Sequence, residues 1–163
     1  MASTRDSAVG AAPWSRLRLR RTELLRDMLA ESTFGSAQLV QPLFVVDNMT
    51  GSELIAGLGD TARHGRDAAL QSIARDLAAG VHHFMLFAVP SAKAERDLNF
   101  GQLAQTVEAI KLEFGNALHL WVDICLCSST THGHCALLDE RGRIDLGPTL
   151  DALSQQAVDA ANA

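Results

Sequence analysis

The sequence predicts an α/β protein built from parallel β/α units. Three observations carry that expectation. Short apolar runs alternate with amphipathic helical stretches along the chain, the pattern of consecutive β/α units. Each run is almost wholly apolar, as strands buried on both faces are. Polar residues gather where the runs end, at Asp47 and again at Asp123, Cys125 and Cys127. Open α/β sheets and (β/α) barrels both place their chemistry there, at the carboxyl ends of strands.

Taken in order, residues 1–14 are rich in Ala, Ser, Thr and Gly and read as a mobile arm. Arg16, Arg18, Arg20 and Arg21 follow as a basic cluster, suited either to solvent or to an acidic partner subunit. Thr22 is placed to cap a short helix carrying Leu24, Leu25, Met28 and Leu29. Residues 39–46 form the first expected strand, and residues 67–79 a helix with Leu70, Ile73 and Leu77 inside, closed by Gly80. Residues 84–89 are a second strand, broken by Pro90, and residues 103–114 a helix burying Leu103, Val107, Ile110 and Phe114. Residues 118–124 are the third strand. Glu140-Arg141-Gly142 marks the turn of a hairpin over residues 136–146, and Pro148 opens a last helix carrying Leu150, Leu153 and Val158. Three strands are too few to close a barrel of eight.

The 163 residues, 47% of them hydrophobic, suffice for one domain with a real core. A net charge of −5 and a pI near 5.6 give no nucleic-acid footprint. No apolar run approaches the roughly 20 residues a membrane span needs, and the N-terminus lacks the apolar core of a signal peptide. Three cysteines, an odd number at tight spacing, fit a reducing cytoplasm better than a disulfide framework. A soluble cytoplasmic protein is expected.

All three cysteines fall within residues 125–135, beside Asp123, His132 and His134. Three thiolates suit zinc, and three protein ligands leave a fourth position for water or substrate. The competing readings are three small buried apolar residues or a redox pair in Cys125-Leu126-Cys127. Of the other candidates, one of His82 and His83 should face the core as a satisfied structural histidine. His64 and His119 read as surface or strand-edge residues, and Trp121 as core packing.

The run Asp123-Ile124-Cys125-Leu126-Cys127, continued by His132-Gly133-His134-Cys135, resembles the zinc signature of porphobilinogen synthase, also called 5-aminolevulinate dehydratase. Arg20-Arg21-Thr22, Pro42-Leu43-Phe44-Val45-Val46, Phe87-Ala88-Val89-Pro90 and Ala109-Ile110-Lys111 match in the same order. Leu138-Asp139-Glu140, Thr149-Leu150 and Gln156-Ala157 continue the match, so the resemblance covers residues 16–163.

The resemblance implies a (β/α)8 TIM barrel of which this chain holds about the first three β/α units. Residues 1–35 would be an N-terminal arm with its short helix, and residues 36–163 the part of the barrel carrying the zinc-cysteine loop. It implies condensation of two 5-aminolevulinate molecules to porphobilinogen with loss of water, in tetrapyrrole (haem) biosynthesis. Cys125, Cys127 and Cys135 would hold Zn2+, Asp123 would stand in the active site near the substrate amine, and His132 and His134 would lie close to the metal. The partner would be further copies of the chain, joined through the arm, octameric in the family.

The sequence also departs from that family. The family forms Schiff bases on two lysines in the later half of the barrel, whereas this chain has only Lys93 and Lys111, which read as surface lysines and map elsewhere. The arginines that grip the second substrate's carboxylate are absent too, and the sequence ends at Ala163, where the fourth barrel strand would follow. Ile55-Ala56-Gly57-Leu58-Gly59-Asp60 replaces a Ser-Met-Pro-Gly segment, the loop after Pro90 lacks a Gly-Ser segment, and Ser128-Ser129 replaces Pro-Tyr. The isolated chain is therefore expected to be inactive. It is either the zinc-bearing part of an enzyme whose remaining half is supplied, or a non-catalytic zinc-binding or interaction half-barrel. With strand edges and an apolar barrel interior exposed, it should not behave as a clean monomer.

Overall fold

The structure, a computed structural model, describes residues 16–163; residues 1–15, most of the expected arm, lie outside the described residues. The chain divides into two compact units, the first ending at Phe34 and the second spanning Gly35–Ala163. In the first, a 3-10 turn at Arg16–Arg20 precedes helix α1, Glu23–Met28. Thr22 caps it from an extended backbone (φ −123°, ψ 156°), its hydroxyl accepting the Leu25 N–H at 3.2 Å. The helix buries none of its residues.

The second unit is a mixed α/β layer. Strands β1 (Val40–Val46), β2 (Ser52–Leu54), β3 (Ala62–His64), β4 (His83–Val89) and β5 (His119–Val122) form one open sheet in the order β2-β3-β1-β4-β5. Helices α2 (Arg66–Ala78), α3 (Gly101–Phe114) and α4 (Leu146–Asn162) complete it. β3, β1, β4 and β5 run parallel, in the register Leu43↔Leu86 and Leu86↔Val122, and β2 is antiparallel to β3. The three expected strands and the helices between them are therefore present. Gly80, with φ +86°, ends the α2 segment as a residue without Cβ readily does.

Alternation along the strands decides which face is covered. Leu43, Val45, Phe84 and Leu86 point one way and are packed against Ala69 and Ile73 of α2 and Leu103, Val107 and Ile110 of α3. Ala160 and Ala163, at the end of the chain, add to the same cluster. The alternate residues Phe44, Val46, Met85 and Phe87 are only half-buried, and Trp121 is 43% exposed. Among the described residues the helices thus cover one face of the sheet, not the two expected. The outer face is itself apolar: Phe44 stacks on Phe87 at 4.9 Å and His83 on Trp121 at 6.2 Å. A strand apolar on both sides reads the same whether its second face is covered or bare. Hence Trp121 is not core packing. Neither His82 nor His83 faces the core: His82 is exposed, while His83 lies half-buried among the outer aromatics.

The sheet has five strands rather than three because residues 52–64 form a hairpin on the β1 edge, which their low apolar content conceals. Ile55 N–H donates to Thr61 O at 2.9 Å, closing a loop in which Gly57 and Gly59 take φ +85° and +60°. His64 is not a surface residue: it is buried, with Nδ1 2.7 Å from Ser52 Oγ. The hairpin expected over residues 136–146 reduces to a turn with one bridge, Leu138↔Ile144. In α4 it is Thr149 and Gln156 that are buried, while Leu150 and Val158 are half exposed.

These arrangements have measurable consequences. A Cβ on Gly65, the residue before α2, would stand 1.9 Å from Met49 O. Gly65→Ala should therefore lower unfolding free energy by about 2–3 kcal/mol, read by urea denaturation. Burial first, then the positive charge of Arg75, lower the His64 pKa below 6.5, with Asp76 opposing. The unfolded chain then binds the proton more tightly, so His64 contributes stability above pH 6.5 that is lost as pH falls toward its folded value. Denaturation midpoints should drop on acidification through that window in the native chain and drop less in His64→Gln. The bare sheet face predicts an associated species, not a clean 17.5 kDa monomer, in size-exclusion chromatography with light scattering.

Candidate metal centre

Beyond β5 the ladder continues for one more bond, Asp123 N–H to Leu86 O at 2.9 Å. The next residues, 123–125, have no regular secondary structure, and the chain bends at Leu126. Leu126 is wholly buried between Phe100 and Leu137 in a small second core, while Asp123, Cys125 and Cys127 are half-buried. The chain then turns back, because Ser129 and Thr130 N–H both donate to Leu126 O (2.9 and 3.0 Å). Thr130 Oγ1 donates to His134 O at 2.9 Å, and Gly133 supplies φ +73°. This return brings Cys135 to the other two cysteines. Gln156 of α4 reaches in from below, its Nε2 donating to Cys125 O at 3.3 Å.

The three Sγ atoms lie within 4.8 Å of one another, and those of Cys125 and Cys127 share a hydrogen bond at 3.3 Å. Tetrahedral zinc with Zn–S near 2.3 Å sets its sulfurs about 3.8 Å apart, so the donor set fits a thiophilic ion with modest adjustment. The thiols are electrically unequal. Burial opposes ionisation of Cys125, yet the Cys127 N–H and the neighbouring thiols hold its pKa below the usual 9. Cys127, hydrogen-bonded to Cys125 and then penalised by burial, is pushed up to about 11. Cys135 is also raised, by its hydrogen bond to Cys125 and by the charge on that sulfur. Of the three thiols Cys125 is thus the most readily ionised. The charge of Asp123 also raises Cys125 and Cys135, so the carboxylate borders the cluster.

His132 Nδ1 accepts the His134 N–H at 3.2 Å, which leaves the His132 proton on Nε2. That Nε2 is buried with no hydrogen-bond partner among the described residues. His134 is exposed, 5.2 Å ring to ring from His132. Lys93 and Lys111 are both exposed. Two contributors escape sequence reading. Gln156 sits in a helix whose leucines suggest a different inner face. Arg96, which bonds Leu138 O and Asp145, depends on a long-range contact that no local pattern announces.

Parallel β/α units with a polar cluster just past a strand's carboxyl end define an α/β protein of the kind that carries its site at the strand ends. More narrowly, the chain belongs to the delta-aminolevulinic acid dehydratase family, which matches residues 15–163. It is 33% identical over 162 residues to the delta-aminolevulinic acid dehydratase of Streptomyces coelicolor, covering 95% of this chain and 48% of that protein. Against that of Mycobacterium tuberculosis H37Rv the identity is 34%, with 86% and 45% covered. Against that of Ruminiclostridium josui it is 32%, with 86% and 70% covered. A crystal structure of the Toxoplasma gondii enzyme (porphobilinogen synthase) with its product porphobilinogen superposes with a TM-score of 0.79 at 26% identity, over 95% of this chain and 45% of that one. The chain thus spans about half the length of the Streptomyces and Mycobacterium relatives. No helix among the described residues is long and apolar enough to cross a membrane.

Leu126 is the mechanical anchor of the cluster. Leu126→Ala should cost about 2–5 kcal/mol in denaturant unfolding, since it empties the seat shared with Phe100 and Leu137.

Proposed function

We propose that this chain supplies the zinc-bearing part of a porphobilinogen synthase, which condenses two molecules of 5-aminolevulinate to porphobilinogen with loss of water. The observation that carries this reading is the cluster of Cys125, Cys127 and Cys135 Sγ atoms within 4.8 Å, bordered by Asp123 at the end of a parallel strand. In this reading residues 36–163 are the first β/α units of a (β/α)8 barrel, and the bare apolar sheet face is its interior. Residues 1–35 are an arm that joins copies of the chain. The remaining barrel units come from the rest of a longer polypeptide or from a separate one.

Cys125, Cys127 and Cys135 would hold Zn2+, which when bound supplies a Lewis acid that polarises a substrate oxygen or nitrogen. Asp123, half-buried beside them, accepts a hydrogen bond from the substrate amine and can take its proton. His132 Nε2–H is a buried donor with an open valence, suited to a substrate carbonyl or carboxylate. Both lysines are exposed, which supports the view that the chain alone does not carry a Schiff-base step. A non-catalytic zinc-binding half-barrel is the second reading, favoured by that same observation.

Zinc analysis decides the metal part: about one Zn2+ per chain is expected, lost in Cys127→Ser. Assay of porphobilinogen with the chain joined to the missing barrel units decides the catalytic part. Formation of product that falls by at least about 100-fold in Asp123→Asn supports the enzymatic reading. Zinc binding without product from the completed barrel would establish the half-barrel as non-catalytic.

A further inference from the structure

We infer that Arg96 is a positioning residue for the metal, a clamp that holds shut the loop bearing the three cysteines. The inference rests on the metal reading above. Cys125 and Cys127 lie on the limb leaving β5 and Cys135 on the returning limb, so the spread between limbs sets the sulfur separations. The segment that follows β4 lies across both limbs. Ala94 N–H donates to Ser129 O at 3.0 Å and Ala94 O accepts from Thr131 N–H at 3.2 Å, which fastens it to the outgoing turn. Two residues on, Arg96 Nη2 donates to Leu138 O at 2.9 Å and pairs with Asp145 Oδ2 at 2.5 Å, which fastens it beyond Cys135. Asp97, next in line, bends the backbone with φ +56°, a conformation Asp tolerates better than most residues with a Cβ.

Both anchor points on the returning side are themselves held, Leu138 by its bridge to Ile144 and Asp145 by two hydrogen bonds. Asp145 N–H donates to Leu137 O at 2.9 Å, and Thr149 Oγ1 donates to Asp145 O at 2.6 Å at the start of α4. The strap therefore runs from the outgoing limb, through Arg96, to a fixed point on the return. The Arg96 and Asp145 side chains remain 45% and 32% exposed. Such a pair adds little to global stability, so its removal should tell on loop closure rather than on the fold. A charged residue that touches no cysteine can in this way set how tightly three cysteines grip an ion.

Cobalt(II) titration of the whole chain tests this, read by the thiolate-to-cobalt charge-transfer band in the near ultraviolet. The native chain should show the band. Arg96→Ala should bind cobalt about tenfold more weakly, Arg96→Lys should recover part of that loss, and the thermal midpoints of the metal-free proteins should stay together. Asp145→Asn, which removes the charge and keeps the size of the side chain, should weaken binding in the same direction and serves if Arg96→Ala does not fold. Absence of the band in the native chain would overturn the metal reading itself. A native band with unchanged affinity in Arg96→Ala, or in Asp145→Asn where that variant stands in, would overturn the clamp and leave the metal reading intact.

Discussion

The seating of Leu126 is the contact on which the rest of the site depends. Its side chain fills the space between Phe100 and Leu137, and its carbonyl accepts two N–H groups that turn the chain back on itself. One residue thus both seats the segment between Cys125 and Cys127 and accepts the hydrogen bonds of the reversal that leads to Cys135. The buried Ser129 and Thr130 belong to the same turn, since both donate their N–H groups to Leu126 O. Dispersion and apolar transfer hold Leu126 in place.

Two layers of packing carry this seat. The larger core, with Leu43, Val45, Phe84 and Leu86 against Ile73 and Ile110, aligns the parallel strands so that β5 ends beside β4. The smaller core under the cysteine loop draws on α4 through Ala152 and Leu153, which explains why an α4 residue, Gln156, reaches the Cys125 carbonyl. The last helix is in this sense part of the site.

The sequence made much of this legible, and the physical reason is periodicity. The helices that bury Ile73 and Val107 and the strands that bury Leu43 and Phe84 show their spacing directly. The cysteine cluster was legible too, because three cysteines in one short segment need no long-range information to suggest a common ligand. What escaped was whatever depends on the partner across space. The β2–β3 hairpin has few apolar residues and draws its order from pairing with Phe44 and Val45. Burial of His64 follows from that pairing, and exposure of Trp121 follows from the absence of a covering layer among the described residues. Thr149 and Gln156 displaced Leu150 and Val158 from the inner face of α4 because the site beneath needs hydrogen bonds there: Thr149 Oγ1 accepts the Leu137 N–H.

The two edges of the sheet are unlike, and that gives the molecule a direction. On one side β5 offers a short parallel edge of four residues. On the other, the hairpin already occupies Phe44 and Val45, so that only the amino-terminal half of β1 remains open to a further strand. Beyond it β2 is short and antiparallel, with Glu53 paired across the sheet to Arg63 of β3, and a short charged margin of this kind discourages strand addition. In the proposed barrel, strands that close the ring would meet the β5 edge at one end and the half edge of β1 at the other. Such a pair of ends would accept its complement in a single orientation, and in that proposed barrel the asymmetry of a small hairpin would act as a key against reversed assembly.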